Sequence, residues 1–198
     1  QPPHKPIVTS LCQPGLDALR GADMLKTAPE MYSSEVEYAS TPLSKKFKDI
    51  STIHQADLGT RIFYTEHGGY DTHANQVPVQ TPLLSDLSAG IGDFFTDLRE
   101  HDAANNVMML VFTEFGRRVH DNGSGTDHGA GGVAFVIGDA VKGGLYGEYP
   151  SLEANKLNEG DLAFNNDFRG LYATLLEKWM GLDSKPIING SFEQMAYL

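Results

Sequence analysis

Val107 to Phe112 reads VMMLVF, apolar at every position. Successive side chains of a strand leave opposite faces, so a strand with no polar position has both faces covered. Parallel central strands of α/β proteins have this character, because helices pack on each face of their sheet. Val133 to Ile137 (VAFVI) reads as a neighbouring strand. Arg61 to Thr65 (RIFYT), β-branched and aromatic, reads as a third, running into a turn at Gly68-Gly69.

Helical patterns surround these runs. Thr41-Pro42 fits an N-cap followed by proline at the first helical position, and Leu43, Phe47, Ile50 and Ile53 recur at helical spacing up to Gly59. Thr81-Pro82 repeats that signature ahead of Leu84, Leu87, Ile91, Phe94, Phe95 and Leu98, which make one face. Asp167 reads as the cap of a closing helix through Phe168, Leu171, Tyr172, Leu175 and Trp179 to Gly181. Helices alternating with strands predict an α/β fold, a sheet flanked by helices on both faces. Residues 1–40 are interrupted by Pro2, Pro3, Pro6, Pro14 and Pro29 around one helical stretch, Leu16 to Lys26, and read as a connecting segment. Residues 41–198 then form the domain proper.

Composition narrows the classes of function. The chain has 198 residues, 40% of them apolar and a further 21 glycine, which is the globular norm and enough for one domain or part of a larger one. No stretch approaches the ~20 uninterrupted apolar residues of a membrane span. Fifteen basic against 26 acidic residues leave a formal charge of -11. Nucleic acid and anionic membrane surfaces are therefore poor partners. Cys12 is the lone cysteine, so any metal must be held by oxygen and imidazole.

In open α/β sheets ligands bind beyond the carboxyl ends of the strands. Three segments next to predicted strands carry ligand-type side chains. Asp71 and His73 lie two apart, so an extended backbone sends both to one face, where a carboxylate and an imidazole suit zinc, manganese or iron. The bland alternative is a turn aspartate and a surface histidine. Glu114 ends an apolar run and calls for a cation, either a metal or nearby Arg117 in a structural ion pair. Asp127 and His128 sit in a loop rich in small residues, NGSGTDHGAGG, which allows close approach to a ligand but also describes an ordinary mobile loop. The three segments converge on one sheet edge. His4, His54, His67 and His101 have no place in that constellation and read as surface or core residues, with His120 left open.

The strings GGYDTHANQ, TEFGRR, GTDHG, VKGGLYG and DFRGLYATLLEKWMG resemble, in order and spacing, the C-terminal half of a bacterial family of unknown function. That family lies in the alkaline phosphatase-like superfamily of phosphatases and sulfatases, and many of its members are exported by the twin-arginine route. The resemblance covers about Thr41 to Leu198. It implies an alkaline phosphatase-like fold, an extracytoplasmic location, and a two-metal site that hydrolyses small anionic phosphate or sulfate esters. On this resemblance Asp71, His73 and His128 correspond to the ligands of one divalent metal (zinc, manganese, calcium or magnesium), and Glu114 to the acid of a second. Asp127 adjoins as a further metal-site residue, Arg117 and Arg118 would bind the anion, and Glu66 weakly echoes another carboxylate position.

Two departures qualify what the resemblance implies. Phe115 stands where such proteins commonly carry a second metal-binding histidine, and no nucleophile follows a plausible first strand. The expected protein is thus the metal-binding part of a hydrolase-like protein, a fragment inactive by itself, whose exposed edge strand favours a homo-oligomer. The competing expectations are a non-catalytic module stapled by its metal and an unmetallated scaffold whose acids pair with Arg117 and Lys142.

Overall fold

The structure, a computed structural model, describes residues 16, 19 and 21–198. It is a mixture of helix and sheet, as an α/β reading requires. Residues 21–31 form helix α1, which continues the pattern expected from Leu16. The chain divides into two compact units: Gln1–Gly68 with Leu83–Ala103, and Gly69–Pro82 with Ala104–Leu198.

The first unit contains α1, α2 (Pro42–Gln55) and the greater part of α3 (Gln76–Glu100). Thr41 caps α2 as expected, its hydroxyl accepting the Ser44 N–H at 3.2 Å, with Pro42 at the first helical position. Leu43 and Phe47 of α2 and Phe94, Phe95 and Leu98 of α3 are buried, and Phe47 stacks on Phe94 with ring centroids 5.4 Å apart. These periodic apolar positions thus form the core of this unit, while Ile50, Ile53, Leu87 and Ile91 are half-buried and Leu84, expected on the same face, is exposed.

Helix α3 begins at Gln76, earlier than the Thr81-Pro82 signature predicts. The Thr81 hydroxyl donates to the Val77 carbonyl at 2.7 Å instead of capping, and Pro82 lies inside the helix. The true start is set by tertiary partners: Ser124 accepts the Asn75 N–H on its hydroxyl at 2.8 Å and the Gln76 N–H on its carbonyl at 3.1 Å. Those bonds satisfy N–H groups that a helix N-terminus leaves without intrahelical partners.

The sheet differs from the expected one. Strand β1 (Met109–Val111) pairs antiparallel with β4 (Phe135–Ile137), in register Met109↔Ile137, Leu110↔Val136 and Val111↔Phe135. A parallel neighbour needs a crossover of a dozen or more residues, usually a helix. Here the intervening chain forms a second ladder, β2 (Gly116–Asp121) against β3 (Thr126–Gly129), so the chain returns antiparallel. Each ladder has two strands among the described residues, β1 is half-buried, and Phe112 and Phe135 are exposed. The RIFYT run forms no strand, and Ile62 and Tyr64 face solvent. Strand propensity is a preference for packing on a pleated surface, and no strand is paired alongside to provide one.

The closing helix divides into α4 (Phe168–Thr174), capped by Asp167, and a π turn over Leu175–Trp179. Hydrogen bonds from the neighbouring Arg169 hold the Asp167 carboxyl down at about 2. The C-terminal segment docks on α4 through the Tyr197 hydroxyl, which donates to the Leu171 carbonyl at 2.8 Å, and the Met195 N–H, which donates to Thr174 Oγ1 at 2.8 Å. Helix α5 (Lys185–Ile188) ends at Asn189 in the left-handed conformation. Among the described residues no helix is long and apolar enough to cross a membrane.

Residues 32–38 are more than a connector. The hydroxyls of Tyr32 and Tyr38 both donate to Asp97 Oδ2, at 2.6 and 2.7 Å, and Asp97 is fully buried on α3. His101, just past α3, has Nδ1 2.8 Å from the Asp97 carbonyl oxygen and Nε2 2.8 Å from the Ser33 carbonyl oxygen. Both neighbours are acceptors, so the protonated ring, with a donor at each nitrogen, is the form that satisfies both contacts. Asp97 Oδ1 lies 3.1 Å from Nδ1 without accepting its proton, which is aimed at the carbonyl, so that contact is coulombic. His101, expected merely as a surface or core residue, thus ties segment and helix together.

Burial pushes the Asp97 carboxyl up, but the hydroxyls of Tyr32 and Tyr38 outweigh it and hold the group below its ordinary 3.8. His101 is raised above its ordinary 6.5, first by its hydrogen bond to the Asp97 carbonyl. A lowered carboxylate adds stability above its unfolded value and loses it as pH falls. A raised imidazole adds stability below its unfolded value and loses it as pH rises through the folded one. Both contributions are present together between 3.8 and 6.5. In thermal unfolding at a series of pH values, the deficit of His101→Ala relative to wild type is expected to shrink toward alkaline pH, and that of Asp97→Asn toward acid pH. Deficits flat in pH would show that the two groups are not ionised as described.

Candidate metal centre

The second unit brings Asp71, His73 and His128 together. Asp71 Oδ1 lies 2.9 Å from His73 Nε2 and 2.8 Å from His128 Nε2, and the three ligand atoms are within 4.8 Å of one another. Donors about 2.05 Å from a tetrahedral ion stand roughly 3.3 Å apart. The two carboxylate–imidazole separations lie a little below that value, so a slight spreading of the side chains would seat one ion. All three residues are exposed, which leaves the centre open to solvent.

Local structure explains the convergence. Gly69 takes a φ of 100°, and the chain then holds Thr72 buried with its hydroxyl accepting from Gln80 Nε2 at 2.8 Å. With Thr72 turned inward, Asp71 and His73 leave together on the opposite side, as their spacing of two predicts. His128 comes from β3, whose turn from β2 is built by Asn122: its Oδ1 accepts the N–H groups of Ser124 and Gly125, at 3.1 and 2.9 Å. The Asn122 Nδ2 donates to the His73 carbonyl at 2.9 Å and ties the two ligand segments together. Gly125 allows that approach, since a Cβ there would stand 2.8 Å from the His73 and Thr72 carbonyl oxygens.

Arg117 on β2 braces the same junction. Its guanidinium donates to the carbonyls of Tyr70 and Thr126, and it lies 3.9 Å from Asp71 Oδ1. Phe115 stacks on His128 with centroids 4.0 Å apart and planes 14° from parallel, under the Arg117 guanidinium 5.0 Å away. The hydrogen bond from His128 is the chief cause that holds the Asp71 carboxyl below the ordinary carboxylate range. The bond from His73 does the same for Asp127, whose Oδ1 is 3.0 Å from His73 Nδ1.

The remaining candidates stand apart. Glu114 is exposed, outside the group that converges on Asp71, and among the described residues it forms no ion pair with Arg117. Arg117 donates to the backbone carbonyls of Tyr70 and Thr126, and Arg118 to Asp161 Oδ1 at 2.9 Å and the Glu159 carbonyl at 3.3 Å. Glu66 accepts the Tyr64 hydroxyl at 3.3 Å, and its carbonyl accepts from Lys46 Nζ at 2.7 Å. His67 lies 3.3 Å from Asp86, and His120 is exposed outside the cluster. A second cluster with metal-like spacing, Asp97, Glu100 and His101, is the closed one of the first unit. Its imidazole nitrogens are held by carbonyls and Glu100 accepts from Ser34 and Glu35, leaving no imidazole lone pair for an ion.

The contributions of Phe115 and Asn122 do not follow from ligand spacing. The Asn122-Gly123 pair is a strong hairpin signal between two short runs, and it marks the turn that delivers His128.

With a loop that pairs a carboxylate with an imidazole and a hairpin that adds a second imidazole, the second unit gathers a cluster of one carboxylate and two imidazoles whose ligand atoms lie within 4.8 Å of one another. The chain belongs to the family described as "Protein of unknown function (DUF1501)", whose model matches residues 19–192. No curated protein matches the chain, and no solved structure does.

Gly125→Ala is expected to push the Thr72–His73 backbone away from the hairpin, costing about 1–3 kcal/mol in denaturant unfolding and shifting the NMR resonances of His73 and His128. Gly92→Ala, whose added Cβ meets nothing within 4 Å, is the control and is expected to leave both unchanged or slightly raise stability. Equal behaviour of the two variants would remove the close approach as the organising contact.

Proposed function

We propose that this chain binds a divalent metal ion through Asp71, His73 and His128, as the metal-holding part of a phosphate or sulfate ester hydrolase of alkaline phosphatase-like fold. The observation that carries the metal reading is the three-way convergence on Asp71 Oδ1, one carboxylate and two imidazoles from two chain segments within 4.8 Å. The hydrolase reading rests on the resemblance of the ordered motifs around those residues. A bound divalent ion would supply Lewis acidity toward an anionic ester. The chain's own residues hold the donors: Arg117 and Asn122 fix the loop to the hairpin, and Phe115 sets the plane of the His128 ring.

A non-catalytic, metal-stapled module is the second reading. The hydroxyl nearest the ligands in sequence, Thr72, is buried and engaged by Gln80, so it is not presented as a nucleophile.

Elemental analysis and titration calorimetry of the purified chain are expected to show about one ion per chain. Asp71→Ala and His128→Ala are each expected to weaken binding by at least the tenfold to hundredfold typical of a lost supporting interaction. A chain that retains no zinc, manganese, calcium or magnesium above background would overturn the metal reading. Turnover of aryl phosphates or aryl sulfates by the metal-loaded protein separates the enzyme from the module, and activity unaffected by chelation would remove the centre from the reaction.

A further inference from the structure

Asp127 lies beside the three convergent donors and was expected among the ligands. Its geometry assigns it another task. The two ring nitrogens of His73 face different carboxylates: Nε2 is 2.9 Å from Asp71 Oδ1, inside the cluster, and Nδ1 is 3.0 Å from Asp127 Oδ1, on the far side of the ring. The two nitrogens of an imidazole point away from each other, so a carboxylate bonded to one cannot share the ion held by the other. Asp127 is also absent from the group of mutually close ligand atoms.

We infer that Asp127 is the positioning residue of the centre, holding the proton on His73 Nδ1 so that Nε2 is presented to the ion, and that the centre therefore selects a nitrogen-seeking transition ion such as zinc over calcium or magnesium. This rests on the metal reading above and adds the class of ion and the residue that enforces it. Two of the three donors are imidazoles, which suit zinc, copper, iron or nickel, whereas calcium and magnesium take oxygen ligands. A carboxylate on the outer nitrogen fixes the tautomer and makes the inner nitrogen a better donor. The two imidazoles are oriented by different means, His73 by a hydrogen bond to Asp127 and His128 by the stacked ring of Phe115. The backbone bond from Asn122 to the His73 carbonyl further restricts where that ring can go.

The test is competitive titration of the full chain with zinc, manganese, magnesium and calcium ions, repeated on Asp127→Ala, Asp127→Asn and Asp71→Ala. Zinc is expected to bind wild type at least about a hundredfold more tightly than magnesium or calcium. Asp127→Ala is expected to weaken zinc binding about tenfold to a hundredfold, and Asp127→Asn to recover most of the loss, because its amide oxygen still accepts from Nδ1–H. Long-range 1H–15N spectra of the zinc-loaded protein should place the proton of His73 on Nδ1 and the metal on Nε2, a readout that a merely structural role for Asp127 would not dictate. Zinc binding lost in Asp71→Ala but unchanged in Asp127→Ala would overturn this inference and leave the metal reading standing, as would calcium or magnesium bound as tightly as zinc. Failure of wild type to bind any of the four ions would overturn both.

Discussion

The candidate centre depends on one junction between two backbones. The loop carrying Asp71 and His73 has no regular structure, and the hairpin carrying His128 is short and irregular in register. Neither would hold a ligand in place alone. They are joined by the Arg117 guanidinium, bonded to the carbonyls of Tyr70 and Thr126, by Asn122, bonded to the His73 carbonyl, and by the contact Gly125 permits. Arginine suits this role because its planar fork of donors can serve two acceptors at once in a fixed geometry. The ligand set consequently owes its geometry to backbone acceptors more than to strand pairing.

The two histidine clusters show how similar residue types reach different chemistry. In the first unit, His101 meets a carbonyl at each nitrogen beside the buried Asp97, and the result is a tie between residues 32–38 and α3. In the second, His73 and His128 turn one nitrogen each toward a shared, exposed carboxylate. A carbonyl oxygen has no proton to give and so keeps an imidazole protonated, whereas a shared carboxylate can exchange those protons for an ion. Similar spacing of ligand atoms therefore means a closed latch in one place and an open centre in the other.

Much of the local structure was legible. The cap at Thr41-Pro42, the apolar face of α3, the cap at Asp167, the strand cores at Met109–Val111 and Phe135–Ile137, and the pairing of Asp71 with His73 all follow from periodicity and capping chemistry. What failed depended on partners. RIFYT has strand composition without a paired strand, Thr81-Pro82 has cap composition in the interior of a helix that Ser124 starts earlier, and VMMLVF has the composition of a doubly covered strand yet is only half-buried.

The amino-acid sequence determined the supply of donors, an oxygen-and-imidazole set in a chain with a single cysteine, and the helical segments whose apolar stripes bury themselves. Periodicity and donor chemistry are properties of residues and their near neighbours, so they survive in one dimension. Tertiary structure decided the direction of strand pairing, the engagement of Arg117 and Arg118, and the acceptors that face His73 and His101. Each of these depends on which acceptor a distant segment places within about 3 Å, and no local pattern records that distance.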